Sequence, residues 1–194
     1  MALAHDDLRA IWTAANTAGS FGGIVQMALL TGQRRAKVAA MRWQDVVDGE
    51  WTIPTEAREK GAGGCLVLPD AAIVIIEARP RIGDNPYVFA GRGSRPFSGF
   101  GNAKLAFDAK LAATVPWVLH DLRRTARSLM ARAGVRPDIA ERVMGHAITG
   151  VEGTYDRHSY RDEKADALRR LAGLIETIIN PPAANVISLR DAAL

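Results

Sequence analysis

The chain has 194 residues, 48% hydrophobic and 24% charged, which excludes a disordered segment, a collagen-like repeat and a coiled-coil rod. At roughly 100 to 200 residues per domain one domain with a real core is expected, read as residues 1–180 followed by a tail over 181–194. Lys and Arg number 25 against 21 Asp and Glu, a net charge of +4 that permits an anionic partner, and no apolar run approaches the ~18 residues that cross a bilayer.

In chain order, Asp6 or Asp7 is expected to cap a first helix that carries Leu8, Ile11, Trp12 and Ala15 at helical spacing and stops at Gly19-Ser20. A second helix runs from about Phe21 to Thr31-Gly32, and a third places Val38, Ala39 and Met41 on its apolar side. At Trp43 the period changes. Val46-Val47 and Trp51-Thr52-Ile53 flank Asp48-Gly49, a pair that tolerates positive φ twice and so predicts a tight hairpin. Cys65-Leu66-Val67-Leu68 supplies a third strand after a loop in which Lys60 stands beside Gly61, Gly63 and Gly64. Asp70 is expected to cap a helix that Pro80 ends, and Gly91 to Pro96 forms a basic loop. Helices follow over Ser98 to Leu111, from His120 through Leu122, Ala126, Leu129 and Met130, and from Pro137 through Val143. A last helix from Asp162 to Ile179 is expected to bury Ala165, Leu168, Leu171, Ile175 and Ile178, and Asn180-Pro181-Pro182 ends it. The fold class is therefore mainly α with a small three-stranded antiparallel β-sheet (α+β).

Four polar clusters sit at helix ends or loop tips: Thr31-Gly32-Gln33-Arg34-Arg35, Lys60, His120-Asp121-Leu122-Arg123, and Gly145-His146 with Tyr155 nine residues on. His120 and Arg123, at i and i+3, share a helix face and can touch one anion. Arg34 follows the Gly that closes one helix and opens the next, where backbone N–H groups also favour an anion. Of the 25 cations 20 are Arg, whose planar fork grips phosphate with paired hydrogen bonds. Taken singly each cluster has a structural reading: Arg34 as a surface charge, Lys60 as a solvated side chain, Gly145-His146 as a helix C-cap, Tyr155 as a core residue.

In their order and spacing, Thr31-Gly32-Gln33-Arg34, the loop Lys60, His120-x-x-Arg123, Gly145-His146 and Tyr155 resemble the catalytic domain of the tyrosine recombinases, the phage integrase family. The resemblance runs from the first helix to Tyr160. It implies that the Tyr155 phenol attacks a DNA phosphodiester and forms a 3′-phosphotyrosyl link while a 5′-hydroxyl leaves. Arg34 and Arg123 would then hold the non-bridging oxygens, with His120 and His146 hydrogen-bonded beside them, His120 moving the Tyr155 proton and Lys60 protonating the leaving oxygen. One departure stands out: where the family commonly has an acid three positions after the first Arg, this chain has Lys37.

The implied partner is double-stranded DNA, bound by a homo-tetramer whose C-terminal tails dock on neighbouring protomers, with a monomer in free solution. An N-terminal DNA-clamping domain is expected to be absent, since the first helix begins at once. No cofactor and no metal are expected: the sequence lacks a Walker-type loop and an evident carboxylate cluster, and Cys65 alone makes neither a disulfide nor a cysteine-cluster site. The start of the chain has neither the basic nor the apolar region of a secretory leader, so a cytoplasmic location without membrane contact is expected. Arg92, Arg95 and Lys104 are candidates for groove contacts. The function expected is that of a site-specific integrase. The alternatives are a DNA-binding remnant of the same fold that has lost catalysis, a type IB topoisomerase-like nicking-closing enzyme, and a helical protein with no nucleic-acid role.

Overall fold

The computed structural model describes residues 2–55, 64–111, 116–146 and 158–182. Lys60, Tyr155 and the tail from residue 183 lie outside the described residues. The elements are α1 (His5–Ala15), α2 (Gly19–Thr31), α3 (Arg35–Ala39), a one-turn 3-10 helix (Trp43–Asp45), β1 (Val46–Val47), β2 (Glu50–Ile53), β3 (Gly64–Val67), α4 (Asp70–Glu77), α5 (Phe100–Asp108), α6 (Leu119–Arg132), α7 (Pro137–Val143) and α8 (Arg161–Ile179).

Helix α2 is apolar on every side, and a helix of that kind belongs inside. Every residue from Phe21 to Thr31 is buried, and α1, α3, α4, α6 and α8 all pack against it. Its one amide side chain, Gln26, donates to Asn16 Oδ1 at 2.8 Å, so the buried polar group is satisfied. Gly22 marks the closest approach to α1, because a Cβ there would lie 1.9 Å from the Ala15 carbonyl oxygen.

The sheet follows the expected order β1-β2-β3, antiparallel throughout. Val46 pairs with Trp51 and Val47 with Glu50 around Asp48-Gly49, whose φ values of 49° and 77° are both positive. That is the turn the residue pair predicts. Trp51, Ile53 and Leu66 point to the core, and α8 packs along β3 with Lys164 Nζ donating to the Cys65 carbonyl at 2.9 Å.

Three local expectations need correction. Asp6 and Asp7 lie within the first turn of α1, whose N-cap is Ala4, and Asp70 lies in the first turn of α4 behind Pro69. An acid in the first turn still meets the positive end of the helix dipole, so the residue type was informative about position to within a turn. In α8 the inward side chain is Ala167, while Ala165 is half-buried. Among the described residues no helix is long and apolar enough to cross a membrane.

The α1–α2 contact yields a stability test. Gly22→Ala should destabilise the protein by about 2 kcal/mol or more, since backbone must move to admit the methyl. Gly101→Ala, whose Cβ would meet nothing within 4 Å, should change stability by no more than about 1 kcal/mol. Urea unfolding midpoints compare the two; equal midpoints would show that α1 does not approach α2 this closely.

Candidate active site

Three chain segments end at one place. The first is the turn between α2 and α3, where Gly32 takes the left-handed conformation (φ 64°) that ends α2 and Arg34 is the N-cap of α3. The second is the N-terminal end of α6, Val118 to His120, with the Val118 N–H held by Asp121 Oδ2 at 3.1 Å. The third is the C-terminal end of α7, where Gly145 is again left-handed (φ 68°) and the His146 N–H returns to the Glu141 carbonyl at 3.0 Å. The structural reading of Gly145-His146 as the end of a helix therefore holds.

Arg123 joins the three. Its side chain is buried at 4% exposure. Nη1 donates to the Gly32 carbonyl, and Nη2 donates to the Met144 carbonyl at 2.8 Å and lies 2.8 Å from His146 Nε2. Gln33, also buried, adds a second tie between the α2–α3 turn and α7 by donating from Nε2 to the Val143 carbonyl. On the far side of His146, Nδ1 meets Glu141 Oε2, and Glu141 Oε1 accepts from Arg127 Nε at 2.8 Å.

A cleft of about 390 Å³ opens over this junction, lined by Gln33, Arg34, Arg35, His120 and Arg123 among others. Among the described residues no carboxylate lines it. Arg35 is braced against the Phe100 ring, 4.9 Å from its centroid. Burial pushes His120 below the ordinary imidazole value, and the charges of Arg124, Arg123 and Arg34 push the same way against Asp121. The cleft thus favours an anion and the neutral form of its imidazole. A second hollow, beside the α6–α7 turn, is lined by Asp162, Glu163 and Asp166 together with Arg136 and Arg170 and has none of this one-signed character.

Of the residues the sequence singled out, Arg34, His120 and Arg123 share the cleft wall, and His146 stands directly behind Arg123. Both ring nitrogens of His146 are engaged, with Arg123 and Glu141, so the ring supports the guanidinium. Tyr155 and Lys60 fall outside the described residues. Lys37, in place of an acid, donates from Nζ to the Pro54 carbonyl at 2.8 Å and ties α3 to the end of β2. Lys104 pairs with Asp108 and lies 3.9 Å from the Trp117 ring centroid. Arg92 and Arg95 are exposed, on the loop that Asn85 braces through the Gly93 and Arg95 carbonyls. Glu141 and Arg127 were not anticipated. Glu141 reaches His146 across a helix end at a separation of five, a spacing that no periodic pattern marks. Among the described residues no three His, Cys, Asp or Glu side chains come together so as to hold a metal ion.

The phage integrase family model matches residues 2–161. The catalytic core of lambda integrase superposes with a TM-score of 0.56 at 22% identity, over 75% of this chain and 94% of that one. The integrase from mycobacterium phage Brujita gives 0.66 at 15% identity, over 92% of this chain and 63% of that one. XerA recombinase gives 0.64 at 17% identity, over 89% and 62%. The chain therefore spans less than two thirds of these last two proteins. No curated protein sequence matches it. With the family model covering all but the last helix and the tail, the chain belongs to the phage integrase family, and its fold is that of the tyrosine recombinase catalytic domain.

Proposed function

We propose that the protein is a site-specific recombinase that cuts and rejoins DNA through a covalent phosphotyrosine. The observation that carries the reading is the cleft in which Arg34 from the α2–α3 turn and His120 and Arg123 from α6 line one space, with no carboxylate among its described lining residues. Lambda integrase, with which the fold is shared, has been solved bound to a DNA core site as a dimer and to a Holliday junction as a tetramer. The proposal gives this chain the same class of partner, double-stranded DNA, and assembly on it as a tetramer, in the cytoplasm.

In the proposed reaction the scissile phosphate enters the cleft with its non-bridging oxygens on the Arg34 and Arg123 guanidinium groups. Those groups stabilise charge that grows as the phosphorus becomes five-coordinate, so they act most strongly on the transition state. Tyr155 Oη attacks in line, its proton passing to neutral His120, and the P–O bond to the 5′ oxygen breaks as Lys60 delivers a proton to it. One phosphodiester is exchanged for another, so no energy source is consumed. Attack on the phosphotyrosyl link by the 5′-hydroxyl of a partner duplex reverses each step and completes strand exchange.

A pool of nicked duplexes of randomised sequence, from which the 5′-hydroxyl fragment diffuses away on cleavage, tests this. Wild-type protein should become covalently linked to DNA, and Tyr155→Phe should give no adduct. Arg34→Ala should lower adduct formation by about 10² to 10³, as the loss of one transition-state donor does. Salt-sensitive DNA binding with no adduct from wild type would establish the non-catalytic remnant in its place.

The electrostatics of the cleft are testable apart from catalysis. In an NMR titration of the free protein, His120 should titrate below the usual 6.5. Arg124→Gln removes a repelling cation and leaves Asp121, which attracts the imidazolium, without its 2.9 Å partner. Its His120 midpoint should therefore move upward; a midpoint that stays put would remove Arg124 from the causes.

A further inference from the structure

We infer that Glu141 is a positioning residue for the reaction: it fixes His146 in the Nδ1–H tautomer, and the Nε2 lone pair thereby left available holds the Arg123 guanidinium in place. The inference rests on the function proposed above for its catalytic consequence, and on geometry alone for the positioning itself.

The argument turns on what each group is able to donate. A guanidinium has N–H donors and no acceptor. His146 Nε2 lies 2.8 Å from Arg123 Nη2, so at that nitrogen the imidazole accepts and carries no proton. The proton of the neutral ring is then on Nδ1, and the atom facing Nδ1 is Glu141 Oε2. A carboxylate can only accept, which matches. Burial alone would raise the Glu141 carboxyl, but the hydrogen bonds from His146 and Arg127 outweigh it and hold the group below its ordinary value, so the acceptor is ionised at neutral pH. Arg127 Nε, 2.8 Å from Oε1, occupies the other oxygen and aims the first at the ring.

The sequence Arg127, Glu141, His146, Arg123 is thus a chain in which every hydrogen bond has one possible direction. Its last member is the buried guanidinium of the cleft, and its first three lie outside the cleft wall. Without Glu141, the tautomer with the proton on Nε2 becomes accessible. That tautomer sets an N–H against an N–H at 2.8 Å from Arg123, a contact that must open. Opening it removes one of the bonds that fix Arg123 and widens the range of orientations its fork takes over the cleft. The bonds to the Gly32 and Met144 carbonyls keep the side chain buried, so the fold persists while the geometry loosens.

The test uses the whole chain with three substitutions: Glu141→Ala, Glu141→Gln and Arg127→Ala. At about pH 8, where an imidazole is neutral, ring ¹⁵N shifts of His146 should report the Nδ1–H tautomer in wild type. Glu141→Ala should lose it. Glu141→Gln, whose amide oxygen still accepts from Nδ1, should keep it. On nicked duplexes Glu141→Ala should form adduct about tenfold more slowly at saturating DNA with little change in binding, the size of effect common for an outer partner of a working histidine. Glu141→Gln should recover most of that rate, and Arg127→Ala should stay within about threefold of wild type.

Equal losses in Glu141→Ala and Arg127→Ala with the His146 tautomer unchanged would overturn the inference, leaving Glu141 a tie between α6 and α7. If wild type forms no adduct the proposed function fails, and the tautomer still decides the positioning role: lost in Glu141→Ala it stands, kept it falls. Circular dichroism and thermal melting of each variant separate these outcomes from loss of fold, and Glu141→Gln supplies the tautomer measurement should Glu141→Ala not fold.

Discussion

A charge at the depth of Arg123, 4% exposed, persists only where hydrogen bonds replace the water it has left. Two of its partners are the carbonyls of Gly32 and Met144, the residues that cap the C-terminal ends of α2 and α7. Helix dipoles place negative potential there, which stabilises a cation. A further contact is His146 Nε2, which in the Nδ1–H tautomer inferred above accepts through a lone pair. Charge-assisted bonds of this kind contribute roughly 1.5 to 3 kcal/mol each. These three contacts hold the guanidinium and add no formal negative charge of their own. Carboxylates in the same places would anchor it as firmly and weaken the field that a phosphate feels. The manner of burial and the capacity to attract an anion are therefore the same property.

The architecture follows from that demand. Gly32 and Arg123 are 91 positions apart, Arg123 and Met144 another 21, and the bonds require two helix C-termini and one helix N-terminus to converge within a side chain's length. Left-handed Gly32 and Gly145 turn the chain sharply enough for this. The buried length of α2 fixes where Gly32 stands, because the end of a helix enclosed by five others cannot shift unless the core does. Gln33 locks the turn to α7 a second time. Arg34 is placed differently, on the surface at the N-cap of the short helix α3, which Lys37 ties to β2 through the Pro54 carbonyl. One guanidinium belongs to the core and the other to the rim, so substitution of Arg123 threatens the fold and substitution of Arg34 does not.

The sequence was most legible where a residue type has few conformational choices. Asp48-Gly49 specified a two-residue hairpin, Gly32 an αL helix end and Pro137 a first helical position, and each was found there. Apolar spacing located α1, α2, α6 and α8, since burial of one face is what selects those residues. It was less exact at helix starts, where an acid is favourable both as a cap and within the first turn, and so Asp6, Asp7 and Asp70 did not fix the boundary. Arg34, His120, Arg123 and His146 were legible as a series of short motifs, because their spacing in the chain reflects the order of the elements that carry them. Glu141 was not. Its contact with His146 crosses a helix end, and its meaning depends on which nitrogen faces Arg123, a fact that exists only in three dimensions.

The potential that would stabilise a phosphorane acts equally on every titratable group that faces the cleft. His120 registers it, lowered by burial and then by the arginines around it. In the proposed reaction this works in both directions. A neutral imidazole is ready to accept the proton of a phenol, and the same positive field favours the phenolate. Once protonated, an imidazole whose pKa has been lowered is a stronger acid than usual, so it returns the proton readily when the phenolate leaves in the rejoining step. A reaction that must run forward and backward over one site needs a single group suited to both transfers. A cluster of cations around an imidazole provides that, and here it outweighs Asp121, whose carboxylate pulls the other way.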